Sequence, residues 1–220
     1  MIDNNTYFVD FEFIEDGKTI DPISIGILCN DGRSLYLINK ECNFLSASDW
    51  VIEHVLTPMG IIVNKDNHLM PLKLNPSKVL PYWSSKEEIK EEVIKFVTKN
   101  GEKPTFIGYY ADYDWVTMAQ LFGKMIDLPK GFPMYCKDLK QWIDDLGNPL
   151  IPESIDTGHH HALLDAVWVK NVYVWLQDQI LLEKLPYHPE FVASRMYVNK
   201  PNKFNISINS GTNLHIGDIY

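Results

Sequence analysis

The chain has 220 residues, 45% of them hydrophobic and 22% charged, and carries a net charge of −9. That length favours one domain with an elaboration, and the composition is that of an ordinary globular protein able to bury a core. The acidic balance argues against a protein that grips long duplex DNA over its whole surface, since such binding rests on many Lys and Arg contacts to phosphate.

The first element is a strand over residues 7–13 (YFVDFEF), a short aromatic and β-branched run. Apolar runs at 23–29 and 34–38 flank Asp31-Gly32. A D-G pair in that setting predicts an antiparallel hairpin. Residues 47–56 read as a short helix, with Ser46 or Ser48 as its N-cap. Residues 57–81 read as a loop holding Pro58, Pro71, Pro76 and Pro81, with a small strand at Ile61, Ile62 and Val63. Ser85 opens an S-K-E-E capping box, which leads into an amphipathic helix to about residue 98. A strand at 104–110, a helix at 113–122 stopped by Gly123, a strand at 134–136 and a helix at 139–145 follow. Residues 162–185 are the longest helix candidate.

The order β-β-β-α-α-β-α-β-α-α predicts an α/β fold. Its sheet is mixed, with an antiparallel start and parallel strands later. The expected division is a domain over 1–185 with a loop insertion at 57–82, followed by an arm or hairpin at 186–220. The chain from Lys184 on interleaves Lys184, Arg195, Lys200 and Lys203 with Tyr187, Phe191, Tyr197 and Phe204. Packing, in place of nucleic-acid binding, is the favoured role for it. Cys29, Cys42 and Cys136 are far apart and include no C-x-x-C pair, so neither a disulfide framework nor a zinc site is expected. No apolar run approaches the roughly 18 residues of a membrane span, and no basic start precedes an apolar stretch. A cytoplasmic protein without membrane contact is the expectation.

Three clusters carry chemistry. Asp10 and Glu12 are two apart in the first strand and point to one face. Burying both unpaired is unfavourable, and like charges oppose the ionisation of both. A divalent cation removes that penalty; the alternative is an edge strand with a wet face. Asp112 and Asp114 lie where a strand ends and a helix begins, a favoured place for ligand sites in α/β sheets. N-capping is the alternative there. His159, His160 and His161 enter the long helix, with Asp165 behind them. Helical spacing alone pairs His161 with Asp165, four apart. His160 stands five apart, about 140° around a helix, and reaches the same site only if it precedes the regular turns.

Together these residues resemble the DEDD superfamily of 3′-to-5′ exonucleases in its His-containing branch, DEDDh. That family shows D-x-E on the first strand, a middle Asp at a helix start and H-x(4)-D at the last helix. The match here is Asp10, Glu12, a middle Asp, His160 and Asp165. The H-x-A-x-x-D form favours His160 over His161. The chain is most similar to the short bacterial and phage exoribonucleases of mycobacterial type. It shares their D-x-E-F-I-E-D-G run from Asp10, a strand like Ile23-Ser24-Ile25-Gly26, and Tyr113-Asp114 followed by Gln120-Leu121-Phe122-Gly123. The last run selects Asp114, with Asp112 as fallback. The resemblance spans about residues 6 to 180.

The resemblance implies a ribonuclease H-like fold with a mixed five-stranded central sheet. It implies release of nucleoside 5′-monophosphates from the 3′ end of single-stranded RNA or DNA. Two Mg²⁺ or Mn²⁺ ions would be held by Asp10, Glu12, Asp114 and Asp165, with His160 as general base toward water. Phe13, Ile14 and Trp115 adjoin the motifs as candidates for stacking or wedging against terminal bases, with core packing as the alternative for Phe13 and Trp115. The backbone from Phe11 to Phe13 is a candidate contact for the terminal sugar. A homodimer is expected by resemblance alone. The rival readings are a 3′-to-5′ exodeoxyribonuclease, an idle nuclease fold used for interaction, and a metal-binding protein built on the histidine run.

Overall fold

A computed structural model describes residues 3–63, 70–71, 82–100, 103–153, 160–183, 205–208 and 212–215. The chain opens as an antiparallel meander of β1 (Thr6–Glu15), β2 (Ile20–Cys29) and β3 (Arg33–Asn39). The D-G turn joins β2 to β3, and Gly32 takes the positive φ of 94° that such a turn asks for. A register shift falls between Glu12 and Phe13, where Phe13 pairs with Pro22. Proline has no N–H for the ladder, so regular pairing is interrupted there.

The expected helix over 47–56 is split. Ser48 caps α1 (Asp49–Val51), its side chain accepting from the Val51 N–H at 3.2 Å. Residues Ile52–Leu56 then wind in a wider, π-type turn. Thr57 holds that turn, since its N–H and its hydroxyl both donate to the Ile52 carbonyl, at 2.8 and 2.7 Å. The short β4 (Ile61–Ile62) and β5 (Met70–Pro71) pair with each other, and β6 (Tyr82–Ser84) adds parallel to β3. The Ser85 capping box is formed at the start of α2 (Lys86–Val97), as its sequence predicts.

β7 (Thr105–Gly108) lies parallel to β1 and leads into α3 (Asp112–Phe122). The next strand, β8, is Lys137–Asp138 and not 134–136. Asp138 decides this. Its carboxylate caps α4 (Leu139–Asp145), accepting from the Lys140 and Gln141 N–H groups at 2.7 and 3.3 Å, so the strand must end on it. The long α5 (Ala162–Glu183) follows, and then β9 (Asn205–Ile208) and β10 (Thr212–His215).

The sheet order is β10-β9-β3-β2-β1-β7-β8, with β6 also on β3. Its spine, β3-β2-β1-β7-β8, contains the five strands expected from sequence. The sheet is wider than expected because β6, β9 and β10 add at β3. Helices cover both faces. Phe8 and Ile14 of β1 pack with α5, while Tyr7, Val9 and Phe11 pack with α2 and α3. This is an α/β, ribonuclease H-like architecture. Among the described residues no helix is long and apolar enough to cross a membrane. His159 and the aromatic and basic residues named in the tail lie outside the described residues.

Candidate active site

The site forms where β7 leaves the sheet. β1 pairs with β7 only through Thr6, Tyr7 and Phe8. Beyond Gly108 the chain turns away, and the remaining edge of β1 needs a new partner. Asp114 supplies it: its Oδ1 accepts the Phe11 N–H at 2.9 Å. A backbone donor left open by the topology therefore holds one carboxylate in place. Asp112, two residues earlier, is exposed, while Asp114 is buried. Neither caps α3, whose N-cap is Ala111. Asp138 braces this corner from behind, accepting the Ala111 N–H on Oδ2 at 2.9 Å.

Asp10 and Glu12 project from β1 toward α5, between the core residues Phe8 and Ile14. Asp10 keeps partial contact with solvent, and Glu12 is buried. Opposite Asp10 on β2 stands Gly26. A Cβ there would lie 2.2 Å from the Ala162 carbonyl carbon and 2.3 Å from the Leu163 nitrogen. The first turn of α5 thus rests directly on the backbone of β2, which brings Asp165 to the acid pair. The ligand atoms of Glu12, His160 and Asp165 all lie within 4.8 Å of one another.

His160 and His161 part company here. His160 is exposed, lines the cleft and meets the Trp50 ring edge-on at 5.0 Å. His161 turns inward and stacks on Tyr36 at 4.4 Å. Its N–H donates to Asp165 Oδ2 at 3.0 Å.

These residues line one cleft of about 410 Å³, which holds Asp10, Glu12, Asp114, His160 and Asp165 together. Phe11 and Phe13 also line it, and Phe13 stacks on Tyr113 at 5.8 Å. Ile14 and Trp115 do not. Ile14 packs in the core beneath α5, and Trp115 packs against Phe106 on the other face of the sheet. Ile14 lies on the same side of β1 as Asp10 and Glu12 but in the core under α5, and helix periodicity turns Trp115 away from Asp114.

The electrostatics are those of crowded anions. Burial first, then the charges of Asp114, Glu12 and Asp165, push Asp10 well above the usual carboxylate range. Burial and the charges of Asp165 and Asp114 do the same to Glu12. Asp114 is pushed up to about 7, mainly by burial and then by Asp138 and Asp165, against the lowering effect of the Phe11 N–H. Such a cluster favours either protons or a cation. The donor set, four carboxylates and one imidazole, fits a hard divalent ion.

No family model matches the chain. A 3′-5′ exoribonuclease of Mycobacterium tuberculosis, strain CDC 1551 / Oshkosh, is 33% identical over 161 residues, which cover 73% of this chain and 86% of that protein. The 3′-5′ exoribonuclease of strain H37Rv matches to the same extent. The chain belongs to the 3′-5′ exonuclease family of these proteins.

Two residues around this cleft escape a sequence reading. Trp50 and Tyr110 line it and are more than half exposed. Tyr110 also takes a left-handed backbone conformation, φ 53°, which is uncommon for a bulky residue. Its position directly after a strand and before a helix was the one available signal. Trp50 carried none, because its exposure depends on how α1 meets the sheet.

Proposed function

We propose that this chain is a 3′-to-5′ exoribonuclease that hydrolyses single-stranded RNA from its 3′ end to nucleoside 5′-monophosphates. The observation that carries the reading is the convergence of four acids and His160 in one cleft. The burial and mutual repulsion that raise the acids support a divalent-cation site there. The relatives' activity supports RNA as the substrate.

Asp10, Glu12, Asp114 and Asp165 would hold two Mg²⁺ or Mn²⁺ ions. When bound, such ions stabilise charge on the phosphate and lower the pKa of a bound water. The chain's own residues do the rest. His160 stands beside Glu12 and Asp165 at the solvent side of the cleft and takes the proton of the attacking water. Its reference pKa near 6.5 suits that task at neutral pH. Phe13 and Tyr113, already stacked on each other, offer an aromatic surface to the terminal bases. The reading includes the homodimer that the resemblance implies, and a reducing compartment in keeping with three free cysteines.

The test is digestion of matched 5′-labelled single-stranded RNA and DNA with Mg²⁺ or Mn²⁺. A ladder of shortened labelled RNA, absent in EDTA, is the expected result. Full activity in EDTA rules out the metal reading, and faster digestion of DNA reverses the substrate. His160→Ala should lower turnover by ~10²–10⁴-fold with the fold retained. Near-wild-type turnover in that variant removes His160 as the base.

A further inference from the structure

One histidine of the run is absorbed by the chemistry above; His161 is not, and its surroundings are specific. Asp10, Gly26 and Tyr36 are register partners across β1, β2 and β3, so they form one row on the α5 side of the sheet. Gly26 is the gap in that row. With no side chain there, the main chain of Ala162 and Leu163 drops onto β2, to where a Cβ would stand within 2.2–2.3 Å. Asp10 then flanks the seated helix end on one side and Tyr36 on the other.

His161 is the residue just before α5, and it fastens that end in three ways. Its ring stacks on Tyr36 with centroids 4.4 Å apart and planes 22° from parallel. Its Nδ1 accepts the Leu164 N–H at 3.5 Å, which requires the ring proton on Nε2. Its own N–H donates to Asp165 Oδ2 at 3.0 Å. Tyr36 is a firm support, since it is 8% exposed and burial keeps its phenol neutral, far above the usual tyrosine range.

We propose that His161, seated on Tyr36 beside the gap at Gly26, is the positioning residue that aims His160 and Asp165 at Glu12. The inference rests on the reading of His160 as the base. His160 is exposed and adjoins His161 directly, so the backbone direction that His161 sets is the one His160 inherits. Asp165 is aimed by the bond from the His161 N–H. The ring of His161 performs no proton transfer, because it faces Tyr36 and not the cleft. Supports of this kind matter because outer partners of metal ligands typically carry ~10–100-fold in metal affinity or activity. A misplacement of about 1 Å at a reacting group can lose ~10²-fold in rate.

The experiment compares wild type with His161→Ala, His161→Phe, Tyr36→Leu and His160→Ala in the full chain. Each is assayed for kcat and KM on a short 5′-labelled RNA and for Mn²⁺ affinity by calorimetry without substrate. His161→Ala should lose ~10–100-fold in kcat with KM within about threefold, and should bind Mn²⁺ ~10-fold more weakly. His161→Phe keeps a ring for Tyr36 and should recover both to within about threefold. Tyr36→Leu leaves His161 in place and removes its support, so it should reproduce the His161→Ala losses, and it carries the test if His161→Ala fails to fold. Wild-type kcat and Mn²⁺ affinity in folded His161→Ala or Tyr36→Leu overturn the proposal. So does His161→Phe as impaired as His161→Ala, since the stack on Tyr36, which that variant keeps, would then not be what seats the helix end. A fully active His160→Ala sinks the base reading instead, whatever the His161 variants do.

Discussion

The two faces of β1 put opposite chemistry on one backbone. Toward α2 and α3, Tyr7, Val9 and Phe11 are at most 4% exposed, and the Tyr7 hydroxyl donates to the Val97 carbonyl at 2.9 Å. These three side chains are apolar or, in Tyr7, hydrogen-bonded. Toward α5, the same strand begins with Phe8 and ends with Ile14, but interrupts them with Asp10 and Glu12. The first face stabilises the fold through area removed from water, about 1.5–3 kcal/mol for each large side chain. The second holds carboxylates whose ionisation the fold opposes. The packed face stabilises the strand that carries the crowded acids on its other side.

The sharpest way to break this comparison is to remove one residue from each face. Asp10→Ala should abolish nuclease activity, by at least ~10³-fold, the scale of several kcal/mol of lost charge stabilisation. In EDTA the same variant should melt no lower than wild type, because it loses a disfavoured charge and no packing. A large fall in melting temperature would mean that Asp10 serves the fold. Phe106→Ala is the counterpart. Phe106 is 1% exposed and packs on Tyr7, Trp115 and Phe132 at 5.7, 5.1 and 5.3 Å. It should cost about 3–5 kcal/mol in urea unfolding and leave turnover per folded molecule within about threefold. Lost turnover with intact stability would show that the two faces are not separate.

Much of this contrast was legible in the sequence. Alternation in YFVDFEF tells which residues share a face, and the D-G turn and the Ser85 capping box formed as read. What escaped was set by contacts that the pattern of residue types does not announce. The end of β8 depends on Asp138 having to cap α4 and hold Ala111. The broken helix after Ser48 depends on Thr57 capturing the Ile52 carbonyl twice. Ile14 and Trp115 adjoin the motifs in sequence, yet face the core: Ile14 shares the acids' side of β1 but lies under α5, and Trp115 lies round the helix from Asp114, on the other face of the sheet. Gly26 looked like one member of a motif; its reason, the seat for α5, exists only once the helix is docked.

The finest distinction within the acidic face is between Asp112 and Asp114. Asp114 sits near 7 in the fold against an ordinary value of 3.8, so the metal-free folded chain holds its proton more tightly than the unfolded chain does. The resulting stability is fully present below about pH 4 and is lost as pH rises through about 7. Wild type in EDTA should therefore melt at progressively lower temperature between pH 5 and 8, with Asp10 and Glu12 adding to the slope in the same direction. Asp114→Asn cannot ionise and can still accept the Phe11 N–H through its amide oxygen, so its slope should be shallower while its activity falls. Asp112→Asn removes an exposed charge from the first turn of α3. Only the small helix-dipole contribution should go with it, ~0.3–1 kcal/mol, with the wild-type slope and turnover within about twofold. If Asp112→Asn flattens the slope or stops the nuclease, the two acids have been assigned the wrong way round, and the bond from the Phe11 N–H to Asp114 is a fold contact and not part of the site.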